Sequence, residues 1–183
     1  MIEFRAWPKI PRVENRKEFY TEKIDGTNAC IICTFLETEN KPIAVVLTEV
    51  GPLYIHAQSR ARLITPYDDN FGFARWVQEN FMELSKLGEG YHFGEWWGKG
   101  IQRGYNQTEK HFSLFNTARW GTHNPNTPAC VSVVPLIEAN TAEEAKQKLI
   151  ENGSFAAPGF MNVEGIVIYE YQTKSYWKSI INK

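Results

Sequence analysis

The chain has 183 residues, enough for one domain of average size or two small ones. Hydrophobic residues make up 43% of it and charged residues 22%, so it can bury a core, and disordered, collagen-like or low-complexity proteins are excluded. The 20 Lys and Arg against 21 Asp and Glu give a net charge of −1, so a site for a polyanion must be a local cluster of cations.

Nine short runs rich in β-branched and aromatic residues predict β-strands. They lie at 18–22, 29–35, 42–48, 53–58, 91–97, 111–115, 130–137, 165–171 and 175–181. An Asp-Gly pair, Asp25-Gly26, falls between the first two runs and predicts a hairpin there.

Two segments have helical periodicity instead. The first follows Pro66 and Asp68 and stops at Gly88; the second opens with a capping-box pattern at 141–144 and ends at Gly153. Because strands and helices do not alternate strictly, the pattern predicts an α+β fold with antiparallel sheets and flanking helices, and argues against a doubly wound parallel sheet.

The cysteines and the N-terminal segment bear on location. Cys30, Cys33 and Cys130 are odd in number and too few for a disulfide scaffold, which favours a reducing, cytoplasmic setting. Cys30 and Cys33 lie three apart in a predicted strand and so point to opposite faces, which favours core cysteines over a metal or redox pair. The first residues carry charges throughout and no window approaches ~18 apolar residues, so we expect neither export nor a membrane span.

Four charged residues occur in otherwise apolar or turn-like surroundings. They are Lys23 before the Asp-Gly turn, Glu95 in an aromatic strand, Glu164 at the start of an apolar strand, and Lys178 among hydrophobic residues. Singly, each has an ordinary explanation as a turn lysine, a solvent-facing acid or an edge-strand lysine. Their order along the chain is more specific than any one of them.

In that order they resemble the motifs of the covalent nucleotidyltransferases, the superfamily of ATP-dependent RNA and DNA ligases and mRNA capping enzymes. Residues 21–28 (TEKIDGTN) resemble motif I, and Ser59-Arg60 the short motif that follows it. Motifs III, IIIa, IV and V are matched by 93–96, 112–116, 164–168 and 177–178, respectively. The E-K-x-x-G-T-N form is similar to the RNA ligases of the phage T4 RNA ligase 2 group.

The resemblance implies an ATP-grasp-like nucleotidyltransferase domain, in which antiparallel sheets and flanking helices form a nucleotide-binding groove. It implies an ATP-dependent RNA ligase that joins 3′-OH and 5′-phosphate ends through lysyl-AMP and RNA-adenylate intermediates. We expect one adenylyltransferase domain over 1–183, with no C-terminal OB-fold or helical domain. RNA must then be held by the domain itself, a loop, an oligomer or an accessory protein.

The resemblance also assigns roles. Lys23 is the nucleophile, Glu95 accepts the ribose hydroxyls, and Lys178 neutralises the α-phosphate. Glu164 holds Mg²⁺ or Mn²⁺, since a hard cation bound with phosphates needs few protein carboxylates. The residues expected to bind ATP or AMP are Glu22, Lys23, Ile24, Asn28, Arg60, Glu95, Phe115, Val167 and Lys178. Motif V commonly has two lysines one residue apart, whereas Ser179 and Ile180 follow Lys178 here.

Two assignments have competitors. For the aromatic side of an adenine sandwich with Val167 we choose Phe115, but Phe112 lies three residues earlier in the same strand, and both could belong to the core. The glycine-rich loop 98–105 offers Lys99 and Arg103 for weak RNA binding together with Asn28, or it is an ordinary β-turn.

Two other functions share these motifs. One is a DNA ligase or an enzyme that adenylates RNA ends without joining them well. The other is a nucleic-acid-binding module of the same fold that has lost catalytic activity, which the single motif V lysine permits.

Overall fold

The computed structural model describes residues 17–181 and contains two β-sheets and two α-helices. The strands are β1 (Glu18–Lys23), β2 (Thr27–Thr34), β3 (Ala44–Thr48), β4 (Gly51–Ser59), β5 (Leu63–Ile64), β6 (Gly90–Gly98), β7 (Lys110–Leu114), β8 (Ser132–Val133), β9 (Leu136–Ile137), β10 (Gly165–Glu170) and β11 (Ser175–Ile180). The helices are α1 (Phe73–Leu84) and α2 (Ala142–Asn152), with short 3-10 helices at Ser85–Leu87 and Gly104–Asn106. This confirms the predicted α+β class.

The large sheet has the strand order β3-β4-β2-β6-β7-β8, with β5 attached to β4. Its neighbours pair antiparallel except for β7 and β8, which are parallel. One face is apolar and packs against α1, because alternate residues of each strand point to the same side. Ile31, Ile55, Trp96 and Phe112 from the strands meet Phe73 from the helix in this core.

The small sheet has the order β11-β10-β1-β9, with all three pairs antiparallel. Helix α2 packs against β10 and β1. The buried residues of this layer are Tyr20, Ile137, Ala145, Leu149, Val163 and Ile166.

A third buried cluster joins the two sheets. Ile24, just past the end of β1, belongs to it together with Trp97 of β6 and Tyr105 of the loop that follows β6. Val134, Ala157 and Phe160 complete it. The cluster fixes the end of β1 against the end of β6, and so determines where residues next to these ends meet.

The predicted hairpin at Asp25-Gly26 is wrong. Strand β1 pairs with β10 and β9, whereas β2 pairs with β4 and β6, so the turn carries the chain from the small sheet to the large one. Gly26 is needed there for close approach: a Cβ at this position would lie 2.4 Å from the carbonyl oxygen of Trp96.

The other predicted strands are present, with one division. The run 130–137 forms two short strands, β8 in the large sheet and β9 in the small one. Pro135 lies between them, and a residue without an N–H interrupts a strand ladder. Strand β5 has only two residues and was not predicted.

Both predicted helices are confirmed. Helix α2 starts after Thr141, whose Oγ1 accepts the amide of Glu144 at 3.1 Å, and ends at Gly153 with a φ of 75°. Helix α1 follows Gly72, and the Asp69 carboxylate accepts the amides of the first turn.

Cys30 and Cys33 are buried, and burial raises the pKa of each to about 12, as expected of core cysteines. None of the helices within 17–181 has the length and apolar character needed to span a bilayer. The charged segment before residue 17, which predicted the lack of an export signal, lies outside the described residues.

Candidate functional site

Lys23 and Glu164 meet at the end of the small sheet. Lys23 is the last residue of β1 and pairs with Gly165, the first residue of β10, so the preceding residue, Glu164, lies beside it. The Nζ atom of Lys23 is 2.6 Å from Oε2 of Glu164. The two side chains keep 23% and 17% of their surface exposed, so a ligand can reach both. The predicted nucleophile and metal ligand are thus in direct contact.

Glu95 lies in the large sheet next to the turn that follows Lys23. It pairs with Asn28 across β6 and β2, and its Oε1 accepts the amide of Gly26 at 3.0 Å. Burial raises the pKa of Glu95 to about 7, against the Gly26 hydrogen bond and the positive charge of Lys23. The negative charge of Glu164 raises it further. Glu95 therefore changes charge near neutral pH and gains from any hydrogen-bond donor that reaches its carboxylate.

Val167 and Lys178 lie on the same face of the small sheet as Lys23. Thr21, Val167 and Lys178 form a row across β1, β10 and β11, next to the row that contains Lys23. The neighbouring residue Ile166 points the other way, into the core under α2. The structure brings these predicted residues to one surface.

The structure distinguishes the two candidate phenylalanines. Phe112 is 1% exposed and packs against Phe73 in the large core, whereas Phe115 is 40% exposed. The amide of Phe115 donates to the carbonyl of Phe93 at 3.0 Å, which continues the register of β7 on β6. Phe115 therefore lies on the face that carries Glu95, opposite the core.

Glu22 and Ile24 are placed differently. Glu22 is 1% exposed, and its Oε2 accepts the amides of Phe155 and Ala156 at 2.8 and 2.9 Å. Burial raises its pKa, against these hydrogen bonds. Ile24 is buried in the cluster that joins the sheets. The side chains of both are enclosed by protein, and their binding of ATP stays a prediction.

Arg60, Lys99 and Arg103 differ in their surroundings. Arg60, one residue beyond β4, and Lys99, one residue beyond β6, are exposed. Arg103 instead forms an ion pair with Asp25, with its Nη1 3.0 Å from Oδ2. The loop that carries it therefore contacts the turn after Lys23, which the sequence pattern did not predict.

Tyr105 is a further residue of this loop that the sequence reasoning did not select. Its Oη accepts the amide of Asp25 at 2.8 Å. In the sequence, Tyr105 is visible only as an aromatic residue at the end of a loop rich in glycine and cations. The residue spacing of this loop does not show that it contacts the turn at Asp25.

A metal ion at this site would depend on few protein ligands. Within 17–181 no cluster of three or more His, Cys, Asp or Glu side chains could hold a metal ion. Glu164 offers one partly exposed carboxylate beside Lys23. Mg²⁺ and Mn²⁺ prefer oxygen ligands, and Mg²⁺ keeps several waters when it binds together with phosphates, so this donor set fits an ion that enters with a nucleotide.

Comparison with known proteins agrees with the resemblance to RNA ligases that the motifs indicated. The family model for RNA ligase matches residues 17–180. A search of curated proteins gives no significant match.

Eight solved chains are similar, and three of them illustrate the range. A variant of Naegleria gruberi RNA ligase with ATP and Mn is 19% identical, with a TM-score of 0.53, covering 91% of this chain and 51% of that one. A second variant with ATP and Mn is 20% identical, with a TM-score of 0.54, covering 100% and 58%. The same ligase with PPi is 21% identical, with a TM-score of 0.53, covering 91% and 50%. These likenesses show the fold, and the chain spans about half the length of the solved chains.

Proposed function

The chain belongs to the RNA ligase family, and we propose that it is an ATP-dependent ligase that joins RNA 3′-OH and 5′-phosphate ends. The observation that carries this proposal is the 2.6 Å contact between Lys23 and Glu164, with Glu95 holding the adjoining turn. These groups come from three distant segments of the chain. A lysine nucleophile, a carboxylate for a cation and a carboxylate for a ribose are what adenylyl transfer requires.

In the first step Lys23 forms a covalent bond with AMP. Its ammonium loses a proton to solvent, which reaches the partly exposed side chain, and the free amine attacks the α-phosphorus of ATP. A P–N bond forms as the P–O bond to pyrophosphate breaks. Glu164 holds the ammonium in place beforehand, and Lys178 lies on the same sheet face to offset the negative charge that develops.

The two sheets would hold the nucleotide between them. Phe115 and Val167 offer an aromatic and an aliphatic side chain for the two sides of the adenine. Glu95 accepts the ribose hydroxyls, and Asn28 and Arg60 are the nearby polar groups for ribose and phosphate oxygens. Glu164 would hold Mg²⁺ or Mn²⁺, and a bound ion would offset the charge of the phosphates.

Two later steps complete the reaction. The 5′-phosphate of an RNA strand attacks the phosphorus of lysyl-AMP, the P–N bond breaks, and Lys23 is regenerated as AMP passes to the RNA. The RNA 3′-OH then attacks the 5′-phosphorus, AMP leaves, and a phosphodiester bond is formed. Asn28 and Lys99 are the exposed groups proposed to contact RNA; an oligomer or an accessory protein would supply further contacts.

Intact mass spectrometry tests the first step. Incubation with ATP and Mg²⁺ should add the mass of one AMP to the wild type and to the control variant Lys86→Ala. Lys86 is a half-exposed residue of the 3-10 helix that follows α1. Lys23→Ala should show no adduct. A GMP adduct from GTP with none from ATP, or no adduct with either nucleotide, would contradict the proposal.

Strand-sealing assays test the substrate. Joining of nicked all-RNA duplexes or of single-stranded RNA ends, with transient RNA-adenylate, is the expected result. Sealing confined to all-DNA nicks would make the protein a DNA ligase, and RNA-adenylate that accumulates without joining would make it an end-adenylating enzyme.

A further inference from the structure

The loop between β6 and β7, residues 99–109, reaches across to the turn that follows Lys23. Two of its side chains contact the same residue: Tyr105 accepts the backbone amide of Asp25, and Arg103 pairs with the Asp25 carboxylate. Asp25 is thus held at its backbone and at its side chain, two residues from Lys23. A third contact, from the Gly26 amide to Glu95, fixes the next residue of the turn.

Tyr105 is itself held rigidly. It is fully buried, with its ring centroid 5.3 Å from that of Trp97 and 4.5 Å from that of Phe160. Its φ of 52° lies in the left-handed region, which a tyrosine adopts only when surrounding packing compensates for the strain. Burial also raises the pKa of the hydroxyl, so it stays protonated at neutral pH. The acceptor offered to Asp25 is therefore fixed in place before any ligand binds.

Arg103 places a positive charge beside Asp25, two residues from Lys23. Burial raises the pKa of Asp25, and the negative charge of Glu164 raises it further, while the charges of Arg103 and Lys23 lower it. Asp25 follows Lys23 by two residues, and Lys23 in turn contacts Glu164, so the charges of all four groups are coupled through two ion pairs. Without Arg103, the Asp25 carboxylate would lose its ion-pair partner and compete with Glu164 for the Lys23 ammonium.

We propose that Arg103 and Tyr105 are positioning residues for lysyl-AMP formation. Together they hold the carboxylate and the amide of Asp25 and fix the turn, so that the Lys23 amine meets the α-phosphate of ATP beside Glu164. The inference rests on the proposed function and adds two residues outside the motifs. It also gives Arg103 a role within the protein in place of the predicted contact with RNA.

Single-turnover adenylylation tests the two side chains. Tyr105→Phe removes the acceptor but keeps the ring, and should slow AMP transfer at saturating ATP about 3- to 10-fold, the range for loss of one hydrogen bond. Arg103→Met should slow it about 10-fold or more, since a misplaced reacting group costs up to ~100-fold. The ATP concentration for half-maximal rate should change less than about 2-fold, because neither residue binds ATP. Matched controls are Tyr67→Phe and Arg75→Met, both exposed.

Two further variants separate positioning from a general loss of structure. Arg103→Lys retains the positive charge beside Asp25 and should recover most of the rate lost in Arg103→Met. In an Asp25→Asn background, Arg103→Met should have an effect of less than about 2-fold, because the charge it offsets is already absent. Additive effects of the two substitutions would overturn the proposed role of Arg103.

Amide hydrogen exchange measures the turn without ATP. Tyr105→Phe should speed exchange of the Asp25 amide about 5-fold or more, while amides in β10 exchange at the wild-type rate. Unchanged exchange at Asp25 would overturn the inference, as would a wild-type adenylylation rate in both loop variants. If the loop variants form the AMP adduct at the wild-type rate, the proposed function still stands and only the positioning role is lost. If the wild type forms no AMP adduct, the proposed function and the positioning role are both overturned.

Discussion

Lys23, Glu164 and Lys178 belong to the small sheet or its edge, whereas Asn28, Glu95 and Phe115 belong to the large sheet. Among the residues that the structure describes, the main core of the large sheet contains 18 buried residues, and that of the small sheet contains six. The groups proposed for phosphate chemistry therefore lie on the sheet with the smaller core. Those proposed for the ribose and base lie on the sheet with the larger core.

Under the proposed function, this difference would give the two sheets separate tasks. The large sheet, with its aromatic core, would support the groups that fit the nucleoside. The small sheet, with the edge strand β11 and its exposed Tyr176 and Trp177, would carry the groups that change partners during the reaction. A nucleotide held between them would tie the sheets together, so ligand binding should stabilise the small sheet more than the large one.

The largest effect is expected from the cores. Phe73→Ala removes a fully buried ring that lies 5.0 Å from Phe112 and 5.4 Å from Trp96, and should lower the free energy of unfolding by about 3–5 kcal/mol. Leu149→Ala in the small sheet's core should cost about 2–4 kcal/mol. Urea unfolding followed by circular dichroism and by tryptophan fluorescence measures both.

The two variants also test whether the sheets unfold separately. Because Trp96 and Trp120 are buried in the large-sheet core and Trp76 packs against it, fluorescence reports mainly on that sheet. In Leu149→Ala the circular dichroism transition should precede the fluorescence transition. Coincident transitions in both variants would mean that the cluster around Tyr105 joins the sheets into one cooperative unit. The two sheets would then not differ in stability.

Glu95→Gln should have opposite effects on stability and on ATP binding. The pKa of Glu95 is raised by burial to about 7 from an ordinary value of 4.5, so the folded state holds this proton more tightly than the unfolded state. This tighter binding of the proton stabilises the folded state fully below pH 4.5, and the stabilisation is lost as the pH rises to about 7. Above pH 7 Glu95→Gln should therefore be more stable than the wild type, by about 1–3 kcal/mol.

ATP binding by the same variant should weaken, because a neutral amide accepts ribose hydroxyls less well than a carboxylate. For the wild type, affinity for ATP should fall as the pH drops below about 7, and in Glu95→Gln this dependence should disappear. Thermal unfolding and isothermal titration calorimetry at pH 6 and pH 8 measure the two effects, with the exposed Glu79→Gln as control. Equal stability of wild type and Glu95→Gln at pH 8 would show that the buried charge carries no cost.

The sequence predicted the strands and helices well where the pattern is local. Runs of β-branched and aromatic residues located β2 and β6, and the capping box located α2, since these signals act over a few residues. The turn at Asp25-Gly26 was misread because an Asp-Gly pair favours a tight turn but does not specify which strands it joins. Sheet pairing is decided by distant partners, which no short segment reveals.

The candidate site divides in the same way. Lys23, Glu95 and Glu164 could be selected because each chemical group has a short motif around it. Tyr105 and the Arg103 pair with Asp25 could not, because their importance comes from a contact between segments about 80 residues apart. Glu22, next to Lys23 in sequence, lies on the opposite face of β1, which follows from strand alternation once the strand is known.

The smallest expected effect concerns the start of α2, the helix that covers the small sheet. Thr141 accepts the amide of Glu144 at 3.1 Å, while the Glu144 carboxylate accepts the amide of Asn140 at 2.9 Å. Thr141→Ala should cost about 1 kcal/mol in urea unfolding, and the exposed Thr108→Ala should cost less than about 0.5 kcal/mol. The first-turn amides of α1 donate instead to the carboxylate of Asp69, three residues before its N-cap Gly72. If Thr141→Ala costs less than about 0.3 kcal/mol, the Glu144 carboxylate alone is enough to hold the start of α2. The small sheet and α2 would then be stabilised mainly by their contacts with the large sheet.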